Sequence, residues 1–472
     1  MKGVLSKWLY LPIGEVGDMI GLTRELTFVP RKMSQDDNPQ PILLYDLSVT
    51  GWIGVPRAWG RERYATVPMV NRMVDGSELT SVTKRPDPHH PRAAPGQAQF
   101  MQDMRRVLTE YDEVQAIAPT GTGKTVVALD TAAWYGRTTM IMVHLERIAD
   151  QWIDEIQDKL GVPREKIGRV QGPMCQFRNV DFAVGILNSV AQRDYTDDFY
   201  KAFGLVIVDE AHKIGTEFFS PAISRFPARK RLTLTATEIR RDGGHAVIAA
   251  HAGPVRVQST AEALGGDVYV IDYDCGPHFR LWGKDSKARV ACLSRDHHRN
   301  RIIAHQVYRA YQRDRNMLVI SFSVDHLETL IDMVVALGVP RDKIGQYTGE
   351  KTAHDQHGKP LKHNGKVVRR KHSRAHFERV KAESQLIFAT YNMFTEAIDI
   401  PRLDAGLDAT PRSQATQVIG RIRRTLPGKK RPLWVTLRDI RCPISQRMFE
   451  SRCRDYESTG MEIHYGNERR CA

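Results

Sequence analysis

Two stretches of the chain share one pattern of apolar and polar positions. Each begins with an apolar run of strand length, TTMIMV in the first and NMLVISF in the second, and continues with a polar segment whose apolar residues recur at helical spacing. Each ends in nearly the same thirteen residues, LGVPREKIGRVQG from Leu160 and LGVPRDKIGQYTG from Leu337, with nine positions identical. The pattern predicts strand, helix and strand twice, 177 residues apart.

The ends of the two predicted helices carry the same signals. Gly161 and Gly338 can take the left-handed conformation that ends a helix, and Pro163 and Pro340 prevent the helix from resuming. A strand, a helix and a second strand in this order form the crossover unit of a parallel sheet. We therefore expect two similar α/β domains.

A phosphate-binding loop precedes the first of these units. The segment APTGTGKTVVALD, residues 118–130, follows the apolar run VQAIA and leads into a helical pattern. Its glycines let backbone N–H groups approach phosphates, Lys124 reaches the outer phosphates, and Thr125 offers its hydroxyl to Mg²⁺. The predicted nucleotide-binding residues of this loop are Thr120, Gly121, Thr122, Gly123, Lys124 and Thr125.

Two carboxylates follow a second apolar strand. In FGLVIVDEAH, Asp209 and Glu210 come directly after four apolar residues, so they belong at the carboxyl end of a buried strand, where parallel sheets bind their ligands. Asp209 is expected to hold the Mg²⁺ and Glu210 to orient and deprotonate the attacking water. The position 177 residues after Lys124 is Arg301, in a segment without a phosphate loop, so we expect one ATP site.

Length and charge set the class of protein. A chain of 472 residues exceeds one ordinary core and suggests about three domains. The net charge of +14, with the surplus beyond residue 90, indicates a polyanionic partner. Six scattered cysteines without a CxxC pair are typical of free thiols in a reducing compartment, here the cytoplasm, or the host cytoplasm if a phage encodes the protein. The longest apolar runs are too short for a membrane span, so no membrane partner is expected.

Further motifs in the order LTLTATEIRRDG, SFSVDHLETL, EAIDIPRLDAGLDATP and QVIGRIRR complete a series from about residue 95 to residue 424. This series resembles a superfamily 2 helicase of the DEAH-box type, similar to phage and large-virus DNA helicases that migrate branches or unwind forks. The resemblance implies an α/β fold of two tandem RecA-like parallel-sheet domains that uses ATP and Mg²⁺. The sequence departs from the family pattern at Glu238, where proline is usual, and at Ala397, where glycine is usual.

The same resemblance assigns roles to residues outside the loop. Arg421 and Arg424 are expected to act as arginine fingers on the phosphates, and Gln97 is preferred to Gln99 as the residue that reads adenine. The remaining assignments are Asp399 and Gln417 to nucleotide binding, and His212, Thr235 and Thr237 to coupling of hydrolysis with domain movement.

The predicted organisation has three parts. Residues 1–90 have the short apolar runs of a small β-rich domain, residues 91–258 form the first RecA-like domain, and residues 259–472 form a linker and the second, with a closing segment. In the first part, GWIGVPRAWGRERY interleaves Trp59 with Arg57 and Arg61, which suits base stacking and phosphate contact. The alternative is that these side chains belong to the core of the domain.

A basic insertion, residues 350–375, distinguishes the second repeat. Its centre, KPLKHNGKVVRRK, places Asn364 and Gly365 between short segments, which predicts a tight β-hairpin that contacts nucleic-acid phosphates. A solvated loop without fixed structure is the alternative. The predicted DNA-binding residues here are Lys362, Lys366, Arg369, Arg370 and Lys371.

Together these features favour an ATP-dependent DNA helicase or translocase that acts on forked or branched DNA in replication or recombination, with a monomer favoured. RNA is the less favoured partner. Two alternatives stay open: an RNA helicase, and a restriction-type motor or remodeller that moves on duplex DNA without separating its strands.

Overall fold

The computed structural model describes most of the chain. The described residues are 1–32, 38–90, 93–119, 122–216, 220–236, 242–260, 264–274, 286–352, 361–363, 366–367, 369–391, 393–394, 400–424, 426 and 428–466. They form two compact units, residues 1–262 and residues 263–472. The N-terminal region therefore shares a unit with the first RecA-like domain, whereas the sequence predicted a boundary near residue 90.

The N-terminal region contains the predicted small β structure together with two short helices. Its strands are β1 (Gly3–Leu5), β2 (Leu9–Pro12), β3 (Thr27–Phe28), β4 (Ile42–Leu43), β5 (Trp52–Val55) and β6 (Met69–Asn71), and its helices are Met19–Glu25 and Arg57–Arg63. Four strands form one sheet in the order β5-β2-β1-β6, while β3 pairs with β4. The core of this region includes Leu9, Leu11 and Ile53, and Val247 from the first RecA-like domain packs into it.

The first RecA-like domain contains an eight-stranded sheet. Its strands are β7 (Glu113–Ile117), β8 (Thr139–Val143), β9 (Ile167–Gln171), β10 (Met174–Cys175), β11 (Phe182–Ile186), β12 (Leu205–Val208), β13 (Lys230–Thr235) and β14 (Val255–Gln258). The order is β10-β9-β11-β8-β12-β13-β7-β14, and every pair is parallel except β10 with β9. Its helices are Gln97–Glu110, Lys124–Tyr135, Glu146–Leu160, Leu187–Gln192, Asp197–Lys201, Ser220–Ser224 and His245–Ala252.

The second unit contains a seven-stranded sheet and the basic insertion. Its strands are β15 (Gly266–Tyr273), β16 (Met317–Ser321), β17 (Ile344–Tyr347), β18 (Glu350–Thr352), β19 (Lys362–His363), β20 (Lys366–Val367), β21 (Arg369–Lys371), β22 (Leu386–Thr390), β23 (Ala405–Asp408), β24 (Leu433–Asp439) and β25 (Met461–Gly466). The sheet runs β17-β22-β16-β23-β24-β15-β25 and is parallel throughout. Its helices are Ser286–Arg295, His297–Gln312, Val324–Ala336, Arg374–Glu383, Thr416–Ile422 and Pro443–Ser458. The predicted pair of RecA-like α/β domains is confirmed.

The repeated sequence folds in the same way in both units. In the first, β8 leads through helix Glu146–Leu160 to β9, and in the second, β16 leads through helix Val324–Ala336 to β17. Gly161 and Gly338 both have positive φ, +65° and +100°, at the ends of these helices. The prediction of two strand–helix–strand units is confirmed, and the glycines end the helices because only a residue without Cβ takes this conformation without strain.

The basic insertion contains the predicted hairpin strands. β19 pairs antiparallel with β20, with Lys362 opposite Val367 and His363 opposite Lys366, and β18 pairs antiparallel with β21. This register leaves residues 364–365 as the connection, and they lie outside the described residues. The side chains of the five predicted DNA-binding residues on these strands are also outside the description, so their phosphate contacts stay predictions.

Two further expectations concern cysteines and membranes. In the described part of the chain, Cys175, Cys292, Cys442 and Cys453 are free thiols. A search of the described helices finds none with the length and apolar character that a bilayer crossing requires.

Candidate nucleotide site

The phosphate loop joins β7 to helix Lys124–Tyr135. At the end of β7, the Ala118 N–H donates to the carbonyl oxygen of Thr235 at 3.0 Å, which ties the start of the loop to β13. The Thr122 hydroxyl donates to the Pro119 carbonyl at 2.8 Å and closes the turn before the helix. Thr120 and Gly121 lie outside the described residues. The start of the loop is therefore tied to β13, and a hydrogen bond within the loop closes the turn before the helix.

Gly123 is the residue at which the chain turns into the helix. Its φ of +79° is left-handed, and a Cβ at this position would lie 1.8 Å from Nε2 of Gln97. The Gln97 side-chain amide, in turn, donates to the Gly123 carbonyl at 3.5 Å. Gln97 is buried, whereas Gln99 is exposed on the same helix. The structure thus brings Gln97 rather than Gln99 to the loop; its contact with adenine remains a prediction.

Four side chains of the predicted site come together. Nζ of Lys124 lies 3.7 Å from Oε1 of Glu210, and Nδ1 of His212 lies 3.2 Å from the other oxygen of that carboxylate. Glu210 has φ of +52°, which non-glycine residues rarely adopt. This backbone directs the Glu210 N–H toward Oδ1 of Asp209, which accepts it at 2.9 Å. The strained turn places both carboxylates beside the loop lysine.

Asp209 has a partner that the sequence did not reveal. The indole N–H of Trp152 donates to Oδ2 of Asp209 at 3.1 Å from helix Glu146–Leu160. Burial, together with repulsion from Glu210, raises the pKa of Asp209, while Lys124 and the indole bond oppose the rise. Helical spacing puts Trp152 on the buried face with Ile153 and Ile156, but it does not tell which carboxylate the indole meets.

Replacing Trp152 with phenylalanine should move the acid limb of the ATPase pH profile to higher pH. The indole N–H stabilises the charged form of Asp209, so its loss raises the pKa of Asp209 further, and metal binding needs the carboxylate. The measurement is kcat against pH at one fixed, subsaturating Mg²⁺ concentration, with Trp434→Phe in the second unit as the matched substitution. A W152F profile that superimposes on wild type would contradict this role.

The motif arginines of the second unit have different surroundings. Arg423 is mostly buried, and its Nε donates to the Leu264 carbonyl at 2.6 Å, so this residue is part of the packing of the unit. Arg421 lies on helix Thr416–Ile422, and Arg424 follows it. Burial lowers the pKa of Arg424 to about 10, which leaves it a cation at neutral pH. The side chain of Gln417, and residues Asp399 and Thr237, lie outside the description.

Arg57 is buried and bound within the first unit. It is 0% exposed, and its Nε donates to Oε1 of Glu113 at 2.5 Å. Its terminal nitrogens donate to the carbonyls of Ala228 at 2.6 Å and Arg229 at 2.9 Å. The guanidinium therefore joins the N-terminal region to the first RecA-like domain, and the prediction of a phosphate contact from Arg57 is wrong.

The other two candidates in this segment also have partners within the protein. Arg61 pairs with Asp112 at 2.6 Å and with Glu113 at 3.4 Å. Trp59 is partly buried against the core of the N-terminal region and meets Tyr64 edge to face. These contacts favour the core alternative. The sequence did contain a signal for these internal pairs: Asp112 and Glu113 lie at the start of an apolar strand, and buried carboxylates require cationic partners.

The chain is similar to proteins described as helicases and as restriction-enzyme subunits. A family model described as the type III restriction enzyme res subunit matches residues 91–240. A putative ATP-dependent RNA helicase of Acanthamoeba polyphaga mimivirus is 24% identical over 344 residues, which cover 70% of this chain and 61% of that protein. The chain thus spans less than two thirds of that relative.

Two further similarities concern a bacterial helicase and a solved structure. The DNA 3'-5' helicase XPB of Kineococcus radiotolerans is 29% identical over 168 residues, covering 34% of this chain and 29% of that protein. A fragment of a putative HsdR subunit of a type I restriction enzyme from Vibrio vulnificus has a TM-score of 0.51 at 16% identity, covering 78% of this chain and 68% of the fragment. The last similarity concerns the fold alone.

Proposed function

Because the chain belongs to the superfamily 2 helicases, of the kind that large viruses carry, we propose that it hydrolyses ATP to move along DNA at forks or branches. The observation that carries the proposal is the meeting of Lys124, Asp209 and Glu210 beside the phosphate loop, with 3.7 Å between the lysine nitrogen and the Glu210 carboxylate. These are the groups that phosphoryl transfer to water requires.

Each part of the site has a task in ATP binding. Backbone N–H groups of the loop and Nζ of Lys124 bind the phosphates, and Gln97 reads the adenine. Thr125 and Asp209 offer the hydroxyl and carboxylate oxygens that Mg²⁺ prefers, and Mg²⁺ held there would neutralise charge on the phosphates. When Lys124 turns to the phosphates, its contact with Glu210 is released.

Glu210 then acts on the attacking water. Its carboxylate accepts the proton as the water attacks the terminal phosphate, and His212, at 3.2 Å, holds the carboxylate in orientation. Arg421 and Arg424 of the second unit stabilise the charge that develops on the transferred group, with Gln417 and Asp399 as further nucleotide contacts. His212, Thr235 and Thr237 couple hydrolysis to movement of the units.

The proposal also names DNA as the nucleic-acid partner. The net charge of +14 supports a polyanion, and one relative is described as a DNA helicase. The mimivirus relative is described as a putative RNA helicase, which supports RNA as the second candidate. Similarity to the family described as the type III restriction enzyme res subunit supports a third, movement on duplex DNA without strand separation.

A panel of nucleic acids should separate these candidates. We expect a forked or four-way-junction DNA to stimulate the ATPase more than single-stranded DNA, linear duplex or RNA at equal nucleotide concentration. Strand displacement is measured in parallel on the same fork. Greater stimulation by RNA would indicate that RNA, and not DNA, is the substrate. Stimulation by duplex DNA without strand displacement would indicate a translocase. An ATPase that no nucleic acid stimulates would overturn the proposal.

A further inference from the structure

Apart from β10, which has no counterpart, the sheet of the first unit has the same strand order as the sheet of the second. The order β17-β22-β16-β23-β24-β15-β25 matches β9-β11-β8-β12-β13-β7-β14 position by position. Helix His297–Gln312, which leads into β16, therefore corresponds to helix Lys124–Tyr135, which leads into β8 and carries the phosphate loop at its start. The segment after β23 likewise corresponds to the segment after β12 that holds Asp209 and Glu210.

A cavity occupies the corresponding place in the second unit. Its volume is about 850 Å³, within the range of about 300–1,000 Å³ that small-molecule sites have. It is lined by Arg295 at the end of helix Ser286–Arg295 and by His297 at the start of the next helix. Arg412 and Gln414 line it from the segment after β23. Phe322, directly after β16, lies at its wall. The second repeat thus lacks the phosphate loop but retains an open site at the carboxyl end of its strands.

The side chains of this cavity include an aromatic ring, the cations Arg295 and Arg412, and the carboxylate of Asp325. Phe322 is 53% exposed, although its ring packs on Tyr391 with 4.4 Å between centroids. The Arg412 guanidinium lies 4.4 Å from the centre of the same tyrosine ring, which fixes its position. Its Nη1 is buried and has no hydrogen-bond partner among the residues that the structure describes. A ring face and a preorganised cation are therefore available side by side.

A hydrogen-bond network holds one wall of the cavity. The two ring nitrogens of His326 contact Oγ of Ser321 at 2.9 Å and Oδ1 of Asn300 at 2.8 Å, and the Asn300 amide donates to the Ser294 carbonyl at 2.8 Å. Burial lowers the pKa of His326 to about 3, so this histidine is neutral at physiological pH. The network is structural, and the arginines supply the positive charge.

We propose that this cavity binds one unstacked nucleotide of a single nucleic-acid strand, with its base on Phe322 and its phosphodiester at Arg412. Arginine and an aromatic ring suit a singly charged phosphodiester and any of the bases. A free nucleoside triphosphate fits less well, because the described residues at the start of helix His297–Gln312 include no Gly-Lys-Thr sequence to wrap several phosphates. The proposal rests on the proposed function, since it gives the nucleic acid a contact in the second unit.

The test is the affinity of a fluorescently labelled single strand, measured by anisotropy on the full chain. Removal of one stacked base contact costs about 1–3 kcal/mol, so we expect Phe322→Ala to weaken binding by roughly 5- to 150-fold. Phe322→Tyr should restore the affinity. Tyr465→Ala, which removes another exposed aromatic side chain of the same unit, should leave binding within about twofold, since its ring lies outside the cavity.

Two further measurements separate the phosphate contact and the alternative ligand. Arg412→Ala should reduce the slope of log affinity against log salt by about 0.7, the value for one phosphate of a single strand. Equilibrium dialysis of the wild-type protein with ATP should give one bound ATP per chain. A second bound ATP that is lost in Arg412→Ala would overturn the assignment of the cavity to a nucleotide of a nucleic-acid strand. If DNA stimulates the ATPase of the wild-type protein but Phe322→Ala binds the single strand as tightly as wild type, this inference is overturned. The proposed function would still stand in that case.

Discussion

Replacing Glu210 with glutamine should lower kcat for ATP hydrolysis by about 10²- to 10⁴-fold, the contribution that a positioned general base makes. Glutamine keeps the shape of the side chain but cannot accept the proton of the attacking water. ATP binding should persist, because Lys124 and the phosphate loop are unchanged and the Lys124 contact with Glu210 at 3.7 Å is not needed once phosphate is bound. We expect a KM for ATP close to that of wild type.

The measurement is steady-state ATPase with stimulating DNA, together with binding of a fluorescent ATP analogue. Glu165→Gln is the matched control, since it is the same substitution at an exposed position of the same unit. A thermal unfolding curve of each variant excludes loss of fold as the cause. If Glu210→Gln retained more than a tenth of wild-type kcat, another group would have to be the base.

Replacing Arg57 with alanine should destabilise the first unit by about 3 kcal/mol, since removal of one partner of a buried ion pair costs about 3–5 kcal/mol. The substitution leaves Glu113, 5% exposed, without its nearest cation, and it leaves the carbonyls of Ala228 and Arg229 without their donors. Two effects favour the lower end of that range. Arg61 still lies 3.4 Å from Glu113, and the charge repulsion between Arg57 and Arg231, which is also fully buried, disappears.

Urea unfolding of the full chain measures this effect, with Arg61→Ala as the control. Arg61 is 29% exposed, so its pairs should contribute only about 0–1 kcal/mol. The double variant Arg57→Ala, Glu113→Ala should be more stable than the sum of the single changes predicts, because no carboxylate is then buried alone. An unchanged unfolding midpoint combined with a reduced salt dependence of DNA binding would return Arg57 to the nucleic-acid contacts.

Local sequence patterns were sufficient for much of the fold. Apolar runs predicted the central strands, helical spacing predicted helices Glu146–Leu160 and Val324–Ala336, and the glycine–proline signals predicted where both helices end. These features are decided within about ten residues of chain, where backbone sterics and amphipathic burial act directly. The Asn-Gly signal of the basic insertion likewise predicted paired strands, since turn chemistry is local.

The sequence also predicted which residues form the nucleotide site, but it did not predict the contacts that hold those residues in place. A phosphate loop and a strand that ends in Asp209 and Glu210 could be read from motifs and from the direction of buried strands. Trp152 lies 57 positions from Asp209 in the chain, and Gln97 lies 26 positions from Gly123. Which of two glutamines meets the loop depends on the rotation of helix Gln97–Glu110 against its neighbours, a result of packing.

The chain by itself thus determined the two RecA-like repeats, the single phosphate loop and the carboxylates beside it, because these depend on short-range pattern and chemistry. Tertiary structure alone decided that Arg57 is buried, 56 positions from Glu113, and that Phe322 and Arg412, 90 residues apart, share a cavity. A basic and aromatic segment has the same local signature whether its cations meet nucleic acid or a carboxylate of the same protein. Only the packing of distant segments, which buries one set of charges and leaves another exposed, separates these two outcomes.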